Sequence, residues 1–195
     1  MQDLGFYFKL GWDHIIAWDA LDHLLFVLAL SAIYLIANWK QVLVLVTAFT
    51  IGHSLTLALS VYELVSINDK WVEFLIPCTI IVTAVFNLFE KNYEPRSLRL
   101  NYFLALFFGL IHGLGFANAI RFMISKKDSM GWSLFGFNIG LEAGQMVVVT
   151  GILLLSYLLV DKAGVKRKWW VWSLSLVAFC IAFKMAWDRF PALLA

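Results

Sequence analysis

The stretch QVLVLVTAFTIGHSLTLALSV, residues 41–61, runs for 21 positions without an Asp, Glu, Lys or Arg. An α-helix needs about 20 consecutive apolar residues to cross the hydrocarbon core of a bilayer. Similar blocks, separated by short charged stretches, lie near residues 23–38, 72–90, 101–121, 133–159 and 169–187. Short connections make neighbouring helices antiparallel hairpins of one domain. The sequence therefore predicts an all-α membrane protein with a single bundle of about six transmembrane helices.

Composition supports the same fold class. The 195 residues are 62% hydrophobic and only 14% charged, whereas a soluble domain is about 45–50% apolar and about 25% charged. The net charge of +2 gives no sign of a surface for nucleic acid, so no such partner is expected. Cys78 and Cys180 lie in apolar blocks without Cys-x-x-Cys spacing, which indicates packing residues.

Residues 1–22 precede the first block and mix Phe, Trp and Ile with acidic residues. This mixture predicts an amphipathic or re-entrant segment at the membrane surface. The acidic residues also interrupt the apolar region that a removable signal peptide requires, so none is expected. The chain is thus divided into an interfacial segment with metal-capture residues, 1–22, and a six-helix transmembrane domain, 23–190.

Two sequence features bear on orientation and packing. The cluster Lys166–Arg167–Lys168 beside Trp169 favours a cytoplasmic position for its end of the bundle, which would place both termini outside.

Rows of glycines, which let helices approach closely in lipid, predict two helix–helix contacts. These glycines are Gly136, Gly140 and Gly144 in one row and Gly109 and Gly113 in another.

Ionisable side chains inside the apolar blocks indicate a functional site, because each costs about 2.5–3.5 kcal/mol or more at the bilayer centre. With helices alternating in direction, His53, His112 and Glu142 all fall about 12–14 Å below one surface, at 1.5 Å per residue. His23 opens the first block from that same surface. The sequence therefore predicts that three helices present His, His and Glu at one level, beneath a mouth that contains His23.

The mouth of this site is predicted around residues 11–23. Asp19, Asp22 and His23 share one helix face through their i, i+3, i+4 spacing. His14 is about half a turn off that face and joins only if the chain bends between residues 14 and 23. Imidazole and carboxylate together suit a divalent ion such as Ni²⁺, Zn²⁺ or Co²⁺.

A polar stripe on the predicted fifth helix extends the site inward. Asn138, Glu142 and Gln145 lie at i, i+4, i+7 on an otherwise apolar helix. Ser54 and Asn118 extend the stripe as further pathway-lining residues. The stripe predicts a path leading away from the histidines.

Four ordered motifs resemble the HupE/UreJ family of small membrane proteins. They are Asp19-x-x-Asp22-His23-Leu-Leu-Phe, the stretch TAFTIGHSLT at 47–56, FGLIHGLGFA at 108–117 and FNIGLEAGQ at 137–145. Members accompany hydrogenase and urease systems and are regarded as nickel permeases. The resemblance implies transport of a divalent metal, with nickel favoured, across a bacterial inner membrane. It also implies that His23, His53, His112 and Glu142 are the intramembrane polar positions.

The chain departs from the family pattern in two places. Some members begin with a cleavable signal peptide, which is not expected here. Where members have Gly-x-Asp-His before the first span, this chain has Ala20-Leu-Asp22-His23. Neither departure removes a type of ligand, but the metal can differ from the family's.

Two functions are compatible with these residues. The first is a permease that lets a divalent ion move down its gradient, because no nucleotide-binding glycine-rich loop is present to supply energy. The alternative is an intramembrane zinc-dependent hydrolase that uses the same His, Asp and Glu cluster. Membrane lipid and the ion are the expected partners. A second copy of the chain and a metalloenzyme maturation system are further candidates.

Overall fold

A computed structural model describes residues 4–17, 20–90, 98–123 and 129–194 of the chain. Most of these residues lie in helices. Within these ranges there is no β-strand. In chain order the α-helices are α1 (Leu4–Ile16), α2 (Leu21–Ser31), α3 (Trp39–Val61), α4 (Asp69–Leu88), α5 (Leu98–Met123), α6 (Met130–Ser156), α7 (Arg167–Arg189) and α8 (Pro191–Leu194). A 3-10 turn, Ile36–Asn38, leads into α3, and a π-helical turn, Tyr157–Lys162, continues α6.

Five elements, built on α3 to α7, are each long and apolar enough to cross a membrane. α2 has only 11 residues, about 16 Å of helix, against a hydrocarbon core about 30 Å thick. α1 and α2 meet the criterion together as a pair bent by 68°, which gives up to six spans. The predicted all-α membrane fold with about six transmembrane helices is confirmed.

The bent pair at the N-terminus differs in extent from the sequence prediction. The block expected over residues 23–38 is α-helical only as far as Ser31. α1 supplies the rest of the length that a membrane span requires. The broken or re-entrant element therefore includes α2 rather than ending at residue 22. The position of residues 1–22 at the membrane surface stays a prediction.

Glycines set the contact between α1 and α6. A Cβ atom at Gly140 would lie 1.9 Å from the carbonyl oxygen of Phe8, and one at Gly11 would lie 1.9 Å from that of Phe137. No side chain fits at such distances. Along this seam Gly136 lies against Leu4 and Gly144 lies against Ile15, so α1 and α6 run in the same direction.

A second glycine seam joins α3 to α5. A Cβ atom at Gly109 would lie 2.2 Å from the carbonyl oxygen of Phe49, and one at Gly113 would lie 2.2 Å from that of His53. The residue numbers at these contacts rise together on the two helices, so α3 and α5 also run in the same direction. The glycine rows predicted as helix contacts therefore lie at two helix–helix seams, and the second one holds His53 against α5.

Arginines mark the two ends of the bundle. Pro77 has no N–H to bond the carbonyl of Glu73, and Arg189 Nη1 donates to that carbonyl at 2.6 Å. Helices α1, α4 and α6 begin at this Arg189 end, whereas α3, α5 and α7 end there. At the opposite Arg167 end, Arg167 Nη2 donates to the carbonyl of Ile33 at 2.9 Å.

Large apolar side chains cover the outside of the bundle. Leu55, Phe103, Val147 and Trp187 are all at least half exposed on helices that are also packed on their inner faces. A water-soluble protein rarely exposes so much contiguous apolar surface. These side chains fit a lipid environment, so the protein is an integral membrane protein.

Candidate metal centre

The bend between α1 and α2 brings two histidines together. His14 lies in the last turn of α1, and His23 lies in the first turn of α2. Their ring centroids are 4.6 Å apart. The sequence required a bend between them before His14 could join a site, and the chain bends there by 68°.

A third histidine comes from α3. His53 is fully buried, and its ring centroid lies 5.7 Å from that of His23 and 6.2 Å from that of His14. Each of the three rings offers a nitrogen, and these nitrogens lie within 4.8 Å of one another. His14, His23 and His53 are called the histidine cluster below.

The unpaired nitrogens of this cluster match the needs of a metal ion. Nε2 of His14, Nε2 of His23 and both ring nitrogens of His53 are buried without a hydrogen-bond partner among the described residues. A buried polar atom left unpaired costs about 1–3 kcal/mol. A metal bond to each ring would remove that penalty, because neutral imidazole is a strong donor to Ni²⁺, Zn²⁺ and Co²⁺.

The spacing of the cluster is close to that of a site for one ion. Metal–nitrogen bonds of about 2.0–2.1 Å place two nitrogens of a tetrahedral site about 3.3 Å apart. The three nitrogens here lie within 4.8 Å of one another. A small movement of the rings is therefore enough for all three to bond one ion.

Asp22 orients one ring of the cluster. Its Oδ1 lies 3.0 Å from Nδ1 of His23 and also accepts the backbone N–H of His23 at 2.8 Å. With Nδ1–H donating to the carboxylate, the lone pair of the neutral ring is on Nε2, which is the unpaired nitrogen. A carboxylate in this position fixes the ring and strengthens its nitrogen as a metal ligand.

His112 of α5 completes a row of four histidine rings. Its centroid lies 5.0 Å from that of His23, and the side chain is fully buried. Nε2 lies 3.1 Å from Oγ1 of Thr79, whose hydroxyl hydrogen is donated to the carbonyl of Ile76 at 2.7 Å. Oγ1 therefore accepts from Nε2–H, which leaves the lone pair on Nδ1, an atom without a partner among the described residues.

A cavity of about 440 Å³ connects the rings of His14, His23 and His112 with the Arg189 end of the bundle. His14, Asp22, His23 and His112 line its inner part. Three residues with exposed or half-exposed side chains line its outer part: Asp13, Glu73 and Arg189. Asp13 forms an ion pair with Lys9. A hydrated ion can therefore reach the buried histidines from one side of the protein.

Two further predicted ligands are Asp19 and Glu142. Asp19 falls outside the described residues. Glu142 is half-buried and accepts a hydrogen bond from Oγ1 of Thr47 at 2.8 Å. Thr47 precedes His53 by six residues, about 9 Å along α3, so Glu142 is not brought into the group of three. Its role as a ligand stays a prediction.

The polar stripe on α6 is partly bonded to α3. Gln145 is fully buried, and its Oε1 accepts from Oγ1 of Thr50 at 2.9 Å. Oδ1 of Asn138 has no partner among the described residues. Ser54 donates to the carbonyl of Thr50 within its own helix at 2.6 Å. The side chain of Asn118 falls outside the described part. Of the stripe residues whose side chains are described, none lines the 440 Å³ cavity.

Sequence reasoning missed several residues around the histidines. Thr79 was not considered, although it lies at helical spacing with Thr83 and Asn87 on the apolar helix α4. Glu73, to which the sequence analysis gives no role in the site, lies in the first part of α4 and lines the cavity. The threonine spacing was readable from the sequence, whereas the position of Glu73 depends on where α4 begins.

The helices and the site define a class: an integral membrane protein with several spans and a buried cluster of histidines open to one end. The sequence model of the family described as HupE / UreJ protein matches residues 1–189. The chain therefore belongs to the HupE/UreJ family, as its motifs indicated. No match was found among curated proteins or among solved structures.

Proposed function

We propose that this protein is a permease that moves a divalent transition-metal ion through the histidine cluster. The observation that carries the proposal is the grouping of three imidazole nitrogens within 4.8 Å, two of them on His14 and His23, which line a cavity open to the Arg189 end. Membership of the HupE/UreJ family supports it. Ni²⁺ is the favoured cargo, with Zn²⁺ and Co²⁺ as alternatives that suit the same ligands.

In the proposed uptake, the carboxylates and the histidines have different roles. Asp22 and Glu73 supply negative charge along the cavity, which raises the local concentration of cations. His14 and His23 replace part of the hydration shell of the ion, and His53 lies beside them as the third nitrogen donor. Conduction also requires ligands weak enough to release the ion.

Several properties of the permease follow as part of the proposal. We place the protein in the inner membrane of a bacterium, with the Arg189 end outward and the cluster Lys166–Arg167–Lys168 on the cytoplasmic side. The ion would move down its gradient and pass to proteins that mature a metalloenzyme. Asp19 and Glu142 are retained as candidate ligands of the ion at other stages of its passage.

The test is metal flux into proteoliposomes that contain a metal-sensitive dye. Liposomes with the parent protein should take up Ni²⁺ faster than empty liposomes, and His53→Gln should reduce that uptake. Gly151→Ala serves as the control because a Cβ atom at Gly151 meets nothing within 4 Å. Uptake by the parent equal to that of empty liposomes would exclude the permease and leave the hydrolase alternative.

A further inference from the structure

A second polar seam leads from the histidines toward the Arg167 end. On α4, Thr79, Thr83 and Asn87 recur every fourth residue and so share one face. That face is directed at α5, because Thr79 is hydrogen-bonded to His112 at 3.1 Å. The seam between α4 and α5 therefore carries polar groups for about 12 Å below the level of His112.

A small cavity lies in the lower part of this seam. It has a volume of about 50 Å³, and its polar lining consists of Thr83, Asn87, Asn101 and Tyr34. A buried water needs about 10–15 Å³ of such volume, so the cavity has room for a few waters or for one partly hydrated ion. It is separate from the larger cavity above the histidines.

The polar groups of the small cavity keep their oxygens available. Nδ2 of Asn87 donates to the carbonyl of Ala29 at 2.7 Å, and Nδ2 of Asn101 donates to the hydroxyl of Tyr34 at 2.7 Å. The hydroxyl hydrogen of Thr83 is donated to the carbonyl of Thr79 at 2.8 Å. The hydroxyl hydrogen of Thr83 and one amide hydrogen of each asparagine are thus used within the protein, and the side-chain oxygens of these three residues keep lone pairs for a cation.

Two phenylalanines separate the small cavity from the histidines. Phe108 lines the cavity, and its ring meets that of Phe26 edge to face, with centroids 5.8 Å apart. Phe26 is fully buried, and its ring centroid lies 5.2 Å from that of His112. An ion passing from His112 to the cavity must therefore displace one of these rings.

We propose that the ion leaves the histidines along the seam between α4 and α5, with Thr83, Asn87 and Asn101 as its second set of ligands and Phe108 as the side chain that closes the route. This inference rests on the proposed permease function. Neutral hydroxyl and amide oxygens hold a transition-metal ion more weakly than imidazole nitrogens. The second set therefore favours release toward the Arg167 end, as conduction requires.

The competing route follows the polar stripe on α6. There Oε1 of Glu142 and Oε1 of Gln145 accept hydrogen bonds from Thr47 and Thr50, which ties each side chain to α3. Neither residue lines the large or the small cavity. The contacts favour the seam on α4, and the two routes are separated by variants on each helix.

The experiment measures Ni²⁺ flux in proteoliposomes and Ni²⁺ affinity in detergent for matched variants. Thr83→Val removes the hydroxyl oxygen at nearly constant size and should slow flux by roughly tenfold while the affinity of the histidine cluster stays unchanged. Thr83→Ser keeps the oxygen and should restore flux. Thr150→Val is the control, because the exposed hydroxyl of Thr150 makes the same kind of bond to a carbonyl four residues earlier, at 2.7 Å.

The outcomes distinguish the route from the permease itself. Phe108→Ala should raise flux, because it removes the ring that closes the seam. Parent flux above empty liposomes, with Thr83→Val equal to Thr150→Val, would overturn the route and leave the permease standing. Reduced flux in Gln145→Leu together with unchanged flux in Thr83→Val would transfer the route to α6. Absence of flux in the parent would remove the permease and the route with it.

Discussion

Oδ1 of Asp22 lies 3.0 Å from Nδ1 of His23, on the first turn of α2 and at the wall of the large cavity. The two residues are neighbours in the sequence, yet their side chains fold back on one another so that Nε2 of His23 is left unpaired. Under the proposed function, the carboxylate would act on the ion through the ring that it orients.

Asp22→Asn tests this arrangement. The amide keeps the size of the side chain but removes the charge that strengthens Nε2 as a donor, and loss of such a partner lowers metal affinity by about 10–100-fold. Isothermal titration with Ni²⁺ in detergent measures the effect. Asp161→Asn, the same change at an exposed position near the Arg167 end, should leave affinity as it is. Equal affinities in the two variants would contradict a role for the Asp22–His23 pair.

His53→Gln tests the cluster itself. The residue is fully buried and both of its ring nitrogens lack partners among the described residues, so its loss removes a direct ligand. Affinity for Ni²⁺ should fall by more than the about 10–100-fold expected for an orienting partner. Metal content of the purified protein and titration both report the change. Parent-like binding in this variant would exclude His53 as a ligand.

Gly140→Ala tests the glycine seam between α1 and α6. The added Cβ atom would lie 1.9 Å from the carbonyl oxygen of Phe8, and overpacking of this kind costs about 1–3 kcal/mol or more. Thermal unfolding followed by tryptophan fluorescence should show a lower midpoint than in the parent. Gly151→Ala on the same helix is the control, since its Cβ atom meets nothing within 4 Å. Equal midpoints in the two variants would mean that α1 is not seated on α6.

Cysteine labelling tests the number of spans. If α1 and α2 together cross the membrane once, Leu4 and Leu64 lie on the same side, and Ala163 lies on the other. All three positions are exposed. Leu4→Cys, Leu64→Cys and Ala163→Cys would be made in a protein without Cys78 and Cys180, the two free cysteines. A membrane-impermeant thiol reagent should reach Leu4→Cys and Leu64→Cys from outside, and labelling of Ala163→Cys from outside would reverse the proposed orientation.

The sequence was sufficient for the fold because lipid imposes simple requirements. Apolar blocks of membrane-spanning length identified α3 to α7, and the glycine rows identified the helix seams. It was insufficient for α1, because a 13-residue amphipathic helix is too short to be recognised as half of a span. That α1 lies along α6 depends on Gly11 meeting the backbone of Phe137, a contact between residues far apart in the sequence.

The candidate site was predictable only in part, because it too depends on contacts between residues far apart in the sequence. Counting residues from helix ends gave a common depth for His53 and His112, which the structure brings to either side of His23. The same count cannot tell which face of a helix is turned inward. The count gave Glu142 a comparable depth because it began the helix near residue 133; α6 begins at Met130, and Glu142 meets Thr47, about 9 Å along α3 from His53. Rotation about the helix axis is decided by packing and is not encoded in the distance from a helix end.

Because of the bend between α1 and α2, an ion bound in the histidine cluster would affect the flexibility of the protein. His14 and His23 lie on opposite sides of that bend, so an ion bonded to both would act as a cross-link between two half-helices that the chain joins only through a short break. Filling of the cluster would lock the angle between the halves, and emptying would free it. The protein would therefore be stiffer with an ion bound than without one. The angle between α1 and α2 would fluctuate less each time an ion occupies the cluster.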